Sequence, residues 1–226
     1  RVDKIKIIWA VLFIGLQYVF RAALWKALLQ PFRNYRYGAV FRATMIGYLT
    51  NNFLPARLGD AIRGACLYLT QGGNSGFILG SLALERVMDI SLVLLVLGTL
   101  LVRLDLHYDW LVRSIIILGS LVIVFFVAAI VLRYWARRGW LFLHPLLVRI
   151  QGQVLRFVLL KNPRTFMADL GNSMSLGNTR RGILWLAITW FITFWGLYFS
   201  LDALGLTRQI GWPQVALILS ISALGL

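Results

Sequence analysis

The sequence predicts an all-α, polytopic integral membrane protein with about five to six transmembrane helices and a pair of re-entrant half-helices. Three observations carry that expectation. The 226 residues are 60% hydrophobic and only 14% charged, where a soluble domain sits near 45–50% apolar and about 25% charged. Several apolar runs reach the roughly 20 residues a helix needs to cross a bilayer. Two short, more polar segments interrupt those runs at residues 37–54 and 61–70. The mean hydropathy of +0.78 excludes an ordinary soluble enzyme, and a β-barrel would show short alternating segments instead.

Taken in order, the first span runs from about Ile5 to Leu29. Its end, Arg21-Ala-Ala-Leu-Trp25-Lys26, reads as an interfacial anchor, with an aromatic and cations that snorkel toward headgroups. A basic loop with Arg33, Arg36 and Arg42 follows, then Tyr37 to Leu54, which Pro55 and Gly59 interrupt. Ala61 to Thr70 ends at the loop signal Gln71-Gly-Gly-Asn-Ser75. Gly76 to Leu104 is the clearest long span, and a loop with Asp105, His107 and Asp109 leads to another, Trp110 to Leu132. Leu141 to Leu160 carries Arg149 and Arg156 among apolar residues, as an interfacial amphipathic helix would. Lys161 to Arg181 is polar, Gly182 to Leu204 is a Trp-rich span, and Trp212 begins a further one.

Orientation follows from the basic residues in the loops. Arg133, Arg137, Arg138, Arg149, Arg156, Lys161, Arg164, Arg180 and Arg181 put residues 133–181 in the cytoplasm as a basic amphipathic linker inside one domain spanning 1–226. Residues 33–42 should lie on the same side. Segments 37–54 and 61–70 must then enter and leave on that one side, which two half-crossing helices satisfy. Irregular backbone at membrane depth is tolerated only beside protein or a water-filled cavity.

The net charge of +15 points, in a membrane chain, to cytoplasmic loops and anionic headgroups and away from nucleic acid. The single Cys66 forms no internal disulfide. The chain opens at Arg1 and closes at Leu226 inside an apolar run, so it is expected to be a fragment of a longer protein.

The charged residues within apolar runs carry the functional argument. A rise of about 1.5 Å per residue from Gly76 puts Glu85 roughly 13 Å and Asp89 roughly 19 Å into hydrocarbon about 30 Å thick. Being four apart, they share one helix face. Each such charge costs about 2.5–3.5 kcal/mol on insertion scales, so each needs a partner. Arg57 and Arg63 are the expected partners, with Arg86 turned to another neighbour. Two readings stay open: a structural ion-pair lock between hairpin and long helix, or a polar cavity that admits a charged lipid headgroup. Asp60 sits where an N-cap belongs, and the helix start there could equally face an anion. Asn51, Asn52, Arg57, Asp60, Arg63, Glu85, Arg86 and Asp89 are therefore the candidate headgroup-binding residues.

Other constellations point elsewhere. Asp105, His107 and Asp109 read as a polar external loop before a metal site, and His144 beside Pro145 as an interfacial residue. No H-E-x-x-H, Ser-His-Asp order or P-loop occurs, so no catalytic residue, metal or cofactor is assigned. Trp185, Trp190 and Trp195 read as packing residues before a lipid path.

The stretch Asn51-Asn52-Phe-Leu-Pro55-Ala-Arg57-Leu-Gly59-Asp60-Ala-Ile-Arg63 resembles the N-x-L-P-x-R-x-G-E/D-x-x-R signature of a flippase-like family, which includes the transmembrane domain of lysylphosphatidylglycerol synthases. Ser81-Leu-Ala-Leu-Glu85-Arg86-Val-Met-Asp89 is similar to its second signature, and Arg21-Ala-Ala-Leu-Trp25 to a motif that precedes both. The family usually has a helix ahead of the first span here and a Pro-Gly-Gly-rich segment after the last, and this chain has neither. The resemblance implies paired re-entrant helices around a cavity and a translocase for aminoacylated phospholipids, hopanoids or polyprenyl-linked lipids. It implies membrane lipids as partners, a homo-oligomer or larger membrane complex, and a place in the inner (plasma) membrane. The competing functional classes are an intramembrane transferase, with Glu85 or Asp89 as general base, and a structural subunit of a membrane assembly.

Overall fold

The computed structural model describes residues 3–53, 58–104, 113, 115–124, 127, 179–208 and 210–225. The proposed loop at 105–109, His144, the linker from 133 to 178, and Pro55 and Arg57 lie outside the described residues. Every regular element among those described is helical.

Helix α1 spans Lys4–Leu29 and opens on Asp3, whose Oδ1 accepts the backbone N–H of Ile5 at 3.1 Å. Helices α2, Tyr37–Asn51, and α3, Gly59–Gln71, follow. At about 1.5 Å per residue they are about 22 and 20 Å long, shorter than hydrocarbon about 30 Å thick. Helix α4 spans Ser75–Leu104, α5 Thr179–Ala203 and α6 Trp212–Gly225. Residues 115–124, inside the run expected to span from Trp110, are also helical. Two of the described helices, α1 and residues 180–203 of α5, are long and apolar enough to cross a membrane. Ile5, Ile8, Val11 and Leu12 of α1 stand exposed in a row, the reverse of a water-facing surface.

Helices α1 and α5 run antiparallel. Lys6 pairs with Asp202 at one end (2.7 Å), and Arg181 donates to Gln30 Oε1 at the other (3.1 Å). Between those ends Phe13 meets Phe199 at 5.6 Å between ring centroids, and Phe20 meets Trp185 at 5.8 Å. Gly182 lets the helices approach, because a Cβ there would stand 2.8 Å from Leu28 Cδ2. Small residues at such crossings are what close packing in lipid selects.

The hairpin of α2 and α3 is tighter still. A Cβ on Gly59 would overlap the Gly47 carbonyl oxygen and Asn51 Oδ1, and one on Gly47 would stand 2.8 Å from both Arg63 Cβ and the Gly59 oxygen. Trp25, Leu29, Tyr35, Val40, Leu67, Phe77 and Ile78 form a core that fastens this hairpin to α1 and α4. A second cluster, Leu24, Leu28, Leu84, Met88 and Leu186, joins α1, α4 and α5.

The turn into α4 follows the loop signal. Gly72 and Gly73 take φ of 66° and 115°, values that suit a residue without a Cβ. Asn74 Oδ1 accepts from the N–H groups of Gly76 (2.9 Å) and Phe77 (3.4 Å), satisfying two of the helix's orphan donors. Tyr35, between α1 and α2, reaches the Gly72 carbonyl at 3.3 Å, and its burial pushes the phenol pKa up against the lowering pull of Arg33.

Gly59→Ala should lower the detergent melting temperature by the equivalent of about 1–3 kcal/mol, the usual range for overpacking. Gly15→Ala, where an added Cβ meets nothing within 4 Å, should be neutral or slightly stabilising. Equal melting of the two variants would contradict the close approach of α2 and α3.

Candidate functional site

Three cations and three carboxylates of the described residues meet where α1, α3 and α4 pack together. The centre is Arg21 of α1. Its Nη1 donates to Asp89 Oδ1 at 2.8 Å, its Nη2 donates to Asp89 Oδ2, and its Nε lies 2.8 Å from Glu85 Oε1. Such a two-pronged guanidinium–carboxylate pair is geometrically specific as well as strong. Glu85 is shared: Arg63 of α3 donates from Nη1 to Glu85 Oε1 at 3.2 Å, and its Nη2 lies 3.2 Å from Oε2. Arg63 and Glu85 are 2% and 1% exposed, so each charge depends on the other.

The surrounding side chains hold this arrangement in place. The Arg63 guanidinium lies 3.9 Å over the Trp25 ring, a cation–π contact that gains from desolvation. The same Trp25 donates from Nε1 to Ser81 Oγ at 3.0 Å, and Ser81 donates to the Ile78 carbonyl at 2.7 Å. Trp190 of α5 donates to Asp89 Oδ1 at 3.0 Å.

The third pair is looser. Arg86 donates from Nε to Asp60 Oδ2 at 2.8 Å, with Nη2 2.6 Å from the same oxygen. These side chains are 34% and 26% exposed. Arg86 Nη1 stands 3.9 Å from Asp89 Oδ2. The signs thus alternate from Arg63 through Glu85, Arg21, Asp89 and Arg86 to Asp60, beginning and ending on α3.

Beside this chain lies a cavity of about 440 Å³ between α1, α2, α4, α5 and α6. Arg21, Arg86 and Asp89 reach its wall, with Asn51, Asn52, Tyr18, Tyr48 and Trp190. Of the eight residues proposed from sequence, Asn51, Asn52, Arg86 and Asp89 line this cavity, whereas Asp60, Arg63 and Glu85 do not. Arg57 lies outside the described residues.

Three expectations are corrected. Arg21 and Trp25 are not an interfacial anchor: they are 7% and 0% exposed, because two carboxylates and the hairpin core await them. Arg21 stands eight residues before Leu29, about 12 Å along the axis, and that depth was the available signal. Asp60 is not the cap of α3. Leu58 holds the N-cap position, Asp60 sits in the first turn, and its carboxylate is drawn to Arg86. The capping is done from another helix: Asn51 Oδ1 accepts the Gly59 N–H at 2.8 Å. Trp190 is more than a packing residue, since its indole N–H reaches Asp89.

Removing one member of a buried pair strands the other, at about 3–5 kcal/mol. Arg21→Met should therefore destabilise most, because Glu85 and Asp89 both lose a partner. Arg86→Gln should cost within about 1 kcal/mol, as partly exposed pairs do. The joint change Arg63→Met with Glu85→Leu should recover part of the loss of either alone. Detergent melting of the set, read as a double-mutant cycle, checks the order.

No curated protein matches the chain, and no solved structure does. The family described as the lysylphosphatidylglycerol synthase TM region matches residues 1–226. The chain, whose described elements are all helical, is thus a lipid-associated membrane protein, and it belongs to the lysylphosphatidylglycerol synthase TM region family.

Proposed function

We propose that this chain is a membrane lipid translocase, binding the charged headgroup of a phospholipid or of a polyprenyl- or hopanoid-type lipid in an intramembrane polar cavity. The observation that carries the reading is the cavity of about 440 Å³ with Arg86 and Asp89 on its wall beside the amides of Asn51 and Asn52. Its volume falls within the range of about 300–1,000 Å³ common to small-molecule sites. A polar hollow flanked by apolar helices lowers the barrier a headgroup meets in hydrocarbon, where an isolated charge is costly. Membership in a family named for the transmembrane region of a lipid synthase supports the choice of lipid as ligand.

In this reading residues 1–226 are one transmembrane domain in the inner (plasma) membrane, α2 and α3 are the re-entrant pair, and residues 133–181 are its cytoplasmic linker. The short lengths of α2 and α3 support re-entry. Asp60, Arg63 and Glu85 act behind the wall, positioning the residues that meet the headgroup. The transferase alternative is weakened because both of its candidate bases are engaged: Glu85 by Arg21 and Arg63, Asp89 by Arg21 and Trp190. A general base must be able to reach and take a proton.

Proteoliposomes with a fluorescent phospholipid in one leaflet test the reading. The wild-type protein should accelerate movement to the other leaflet, and Arg86→Gln or Asn52→Ala should slow it at least tenfold while melting stays near wild type. Movement no faster than in protein-free vesicles, across anionic, zwitterionic and polyprenyl-phosphate lipids, would overturn it.

A further inference from the structure

We propose that the groove between α1, α2 and α5 holds a resident phospholipid of net negative charge, its phosphate on Lys26 and Arg181. The groove shares no lining residue with the polar cavity, so the proposal stands or falls apart from the translocase reading.

The groove has a volume of about 460 Å³ and opens on the outer surface of the bundle, where Val19 is 40% exposed. Its lining changes in character along α1. Val19, Phe20 and Ala23 line the deeper part, and Lys26 and Gln30 line the part where the helix ends. Gln30 stands 11 residues beyond Val19, about 16 Å along the axis. Two aromatics complete the apolar part. Trp185 of α5 packs against Phe20 at 5.8 Å between ring centroids. Tyr37 of α2 donates its hydroxyl to the Val19 carbonyl at 2.7 Å, which satisfies the hydroxyl and leaves the ring as a wall. Apolar first and cationic at the end is the order of a phospholipid laid along the helix, acyl chain inward and phosphate outward.

The cations at the mouth lack partners of their own. Lys26 lies in the last turn of α1 and shares a face with Gln30, four residues on. Gln30 Oε1 accepts from Arg181 at 3.1 Å, which brings a second cation to the same mouth. Among the described residues no carboxylate pairs with Lys26 or Arg181. The acids of the chain are placed elsewhere. Asp60, Glu85 and Asp89 belong to the ion-pair chain. Asp3 and Asp202 sit at the opposite ends of α1 and α5, and Asp105 and Asp109 follow Leu104, the far end of α4. Of the 8 acidic residues that leaves Asp169, against 23 Lys and Arg. Helices α2 and α5 both start at this groove with no acid in their first turns, and α1 alone finishes there. Helix dipoles therefore add to the attraction for an anion.

A phosphate oxyanion accepts charge-assisted hydrogen bonds from an ammonium and a guanidinium together, and basic recesses between helices suit anionic headgroups. A soluble anion would meet the same cations and gain nothing from the aromatic walls. A zwitterionic lipid would fill the walls and bring its own cation beside Lys26, a like charge.

Native mass spectrometry of the purified protein, stripped of lipid in a neutral detergent, tests this. The probes are dioleoyl phosphatidylmethanol, whose head is a bare phosphodiester anion, dioleoyl phosphatidylcholine, with the same chains and no net charge, and inorganic phosphate, with no chains. Phosphatidylmethanol should bind about tenfold tighter than phosphatidylcholine, the size expected of one or two basic side chains near a membrane surface. It should also raise the melting temperature, as a ligand of the folded state does, and inorganic phosphate should do neither. Lys26→Gln with Arg181→Gln should bring the two lipids to equal affinity, whereas Lys26→Arg should keep the preference. Ala23→Phe, which fills the apolar part, should weaken both lipids alike. Arg86→Gln, on the cavity wall, should leave the preference unchanged.

Equal binding of the two lipids by the wild-type protein, or an undiminished preference in the Lys26→Gln, Arg181→Gln variant, would overturn the proposal. A preference lost in Arg86→Gln instead would move the anion to the cavity and overturn the groove as its site. Inorganic phosphate that stabilises as much as phosphatidylmethanol would overturn a lipid as the occupant.

Discussion

The pairing of Arg21 with Asp89 and Glu85 is the constraint on which the rest of this architecture depends. A carboxylate inside an apolar bundle is unfavourable unless a cation accompanies it, and a guanidinium there is no better alone. Arg21 brings α1 to two carboxylates one turn apart on α4. Once α1 is fixed there, Trp25 on the next turn faces the hairpin, where its ring supports Arg63. Arg63 is then the second cation on Glu85. Three helices are joined through one chain of alternating charge, and none of its buried members can be removed without stranding a neighbour.

That chain also explains why the hairpin is so close-packed. Arg63 reaches Glu85 only if α3 lies deep against α4, and Gly64, next in sequence, faces Leu79 and Leu82 there. The glycines at 47 and 59 let α2 follow α3 inward. Asn51 then supplies the hydrogen bond that the start of α3 lacks from its own sequence. A side chain that lines the cavity therefore also completes a helix end, so the shape of the cavity and the integrity of the hairpin are coupled through one amide.

The contrast between the tight and the loose ion pairs separates structure from ligand chemistry. Arg63 with Glu85 is almost wholly buried, whereas Arg86 with Asp60 is about one-third exposed. Buried pairs define geometry and exchange poorly. In the proposed reading, a partly exposed guanidinium beside a cavity trades a contact with its carboxylate for one with an incoming anion at little cost. The sequence set all eight candidate residues on the same footing; of the seven described, Asn51, Asn52, Arg86 and Asp89 line the cavity and Asp60, Arg63 and Glu85 stand behind it.

The helical, membrane-embedded character was legible in the residues, because composition and the length of apolar runs answer directly to bilayer thickness. The α2, α3 and α4 segments and the Gly72-Gly73 turn were legible for the same local reason: breakers and caps act over a few residues. That Glu85 and Asp89 would need cations was legible from their depth. Which cations came to them was not. Arg21 lies 64 residues away from Glu85 along the chain, and while its distance from the end of α1 speaks against snorkelling, nothing local names the carboxylates it turns to. Asp60 looked like a cap because cap preferences are local, and it was claimed instead by Arg86, 26 residues on. Pairing between distant charges depends on which helix faces meet, and only the packing of α1, α3, α4 and α5 fixes those faces.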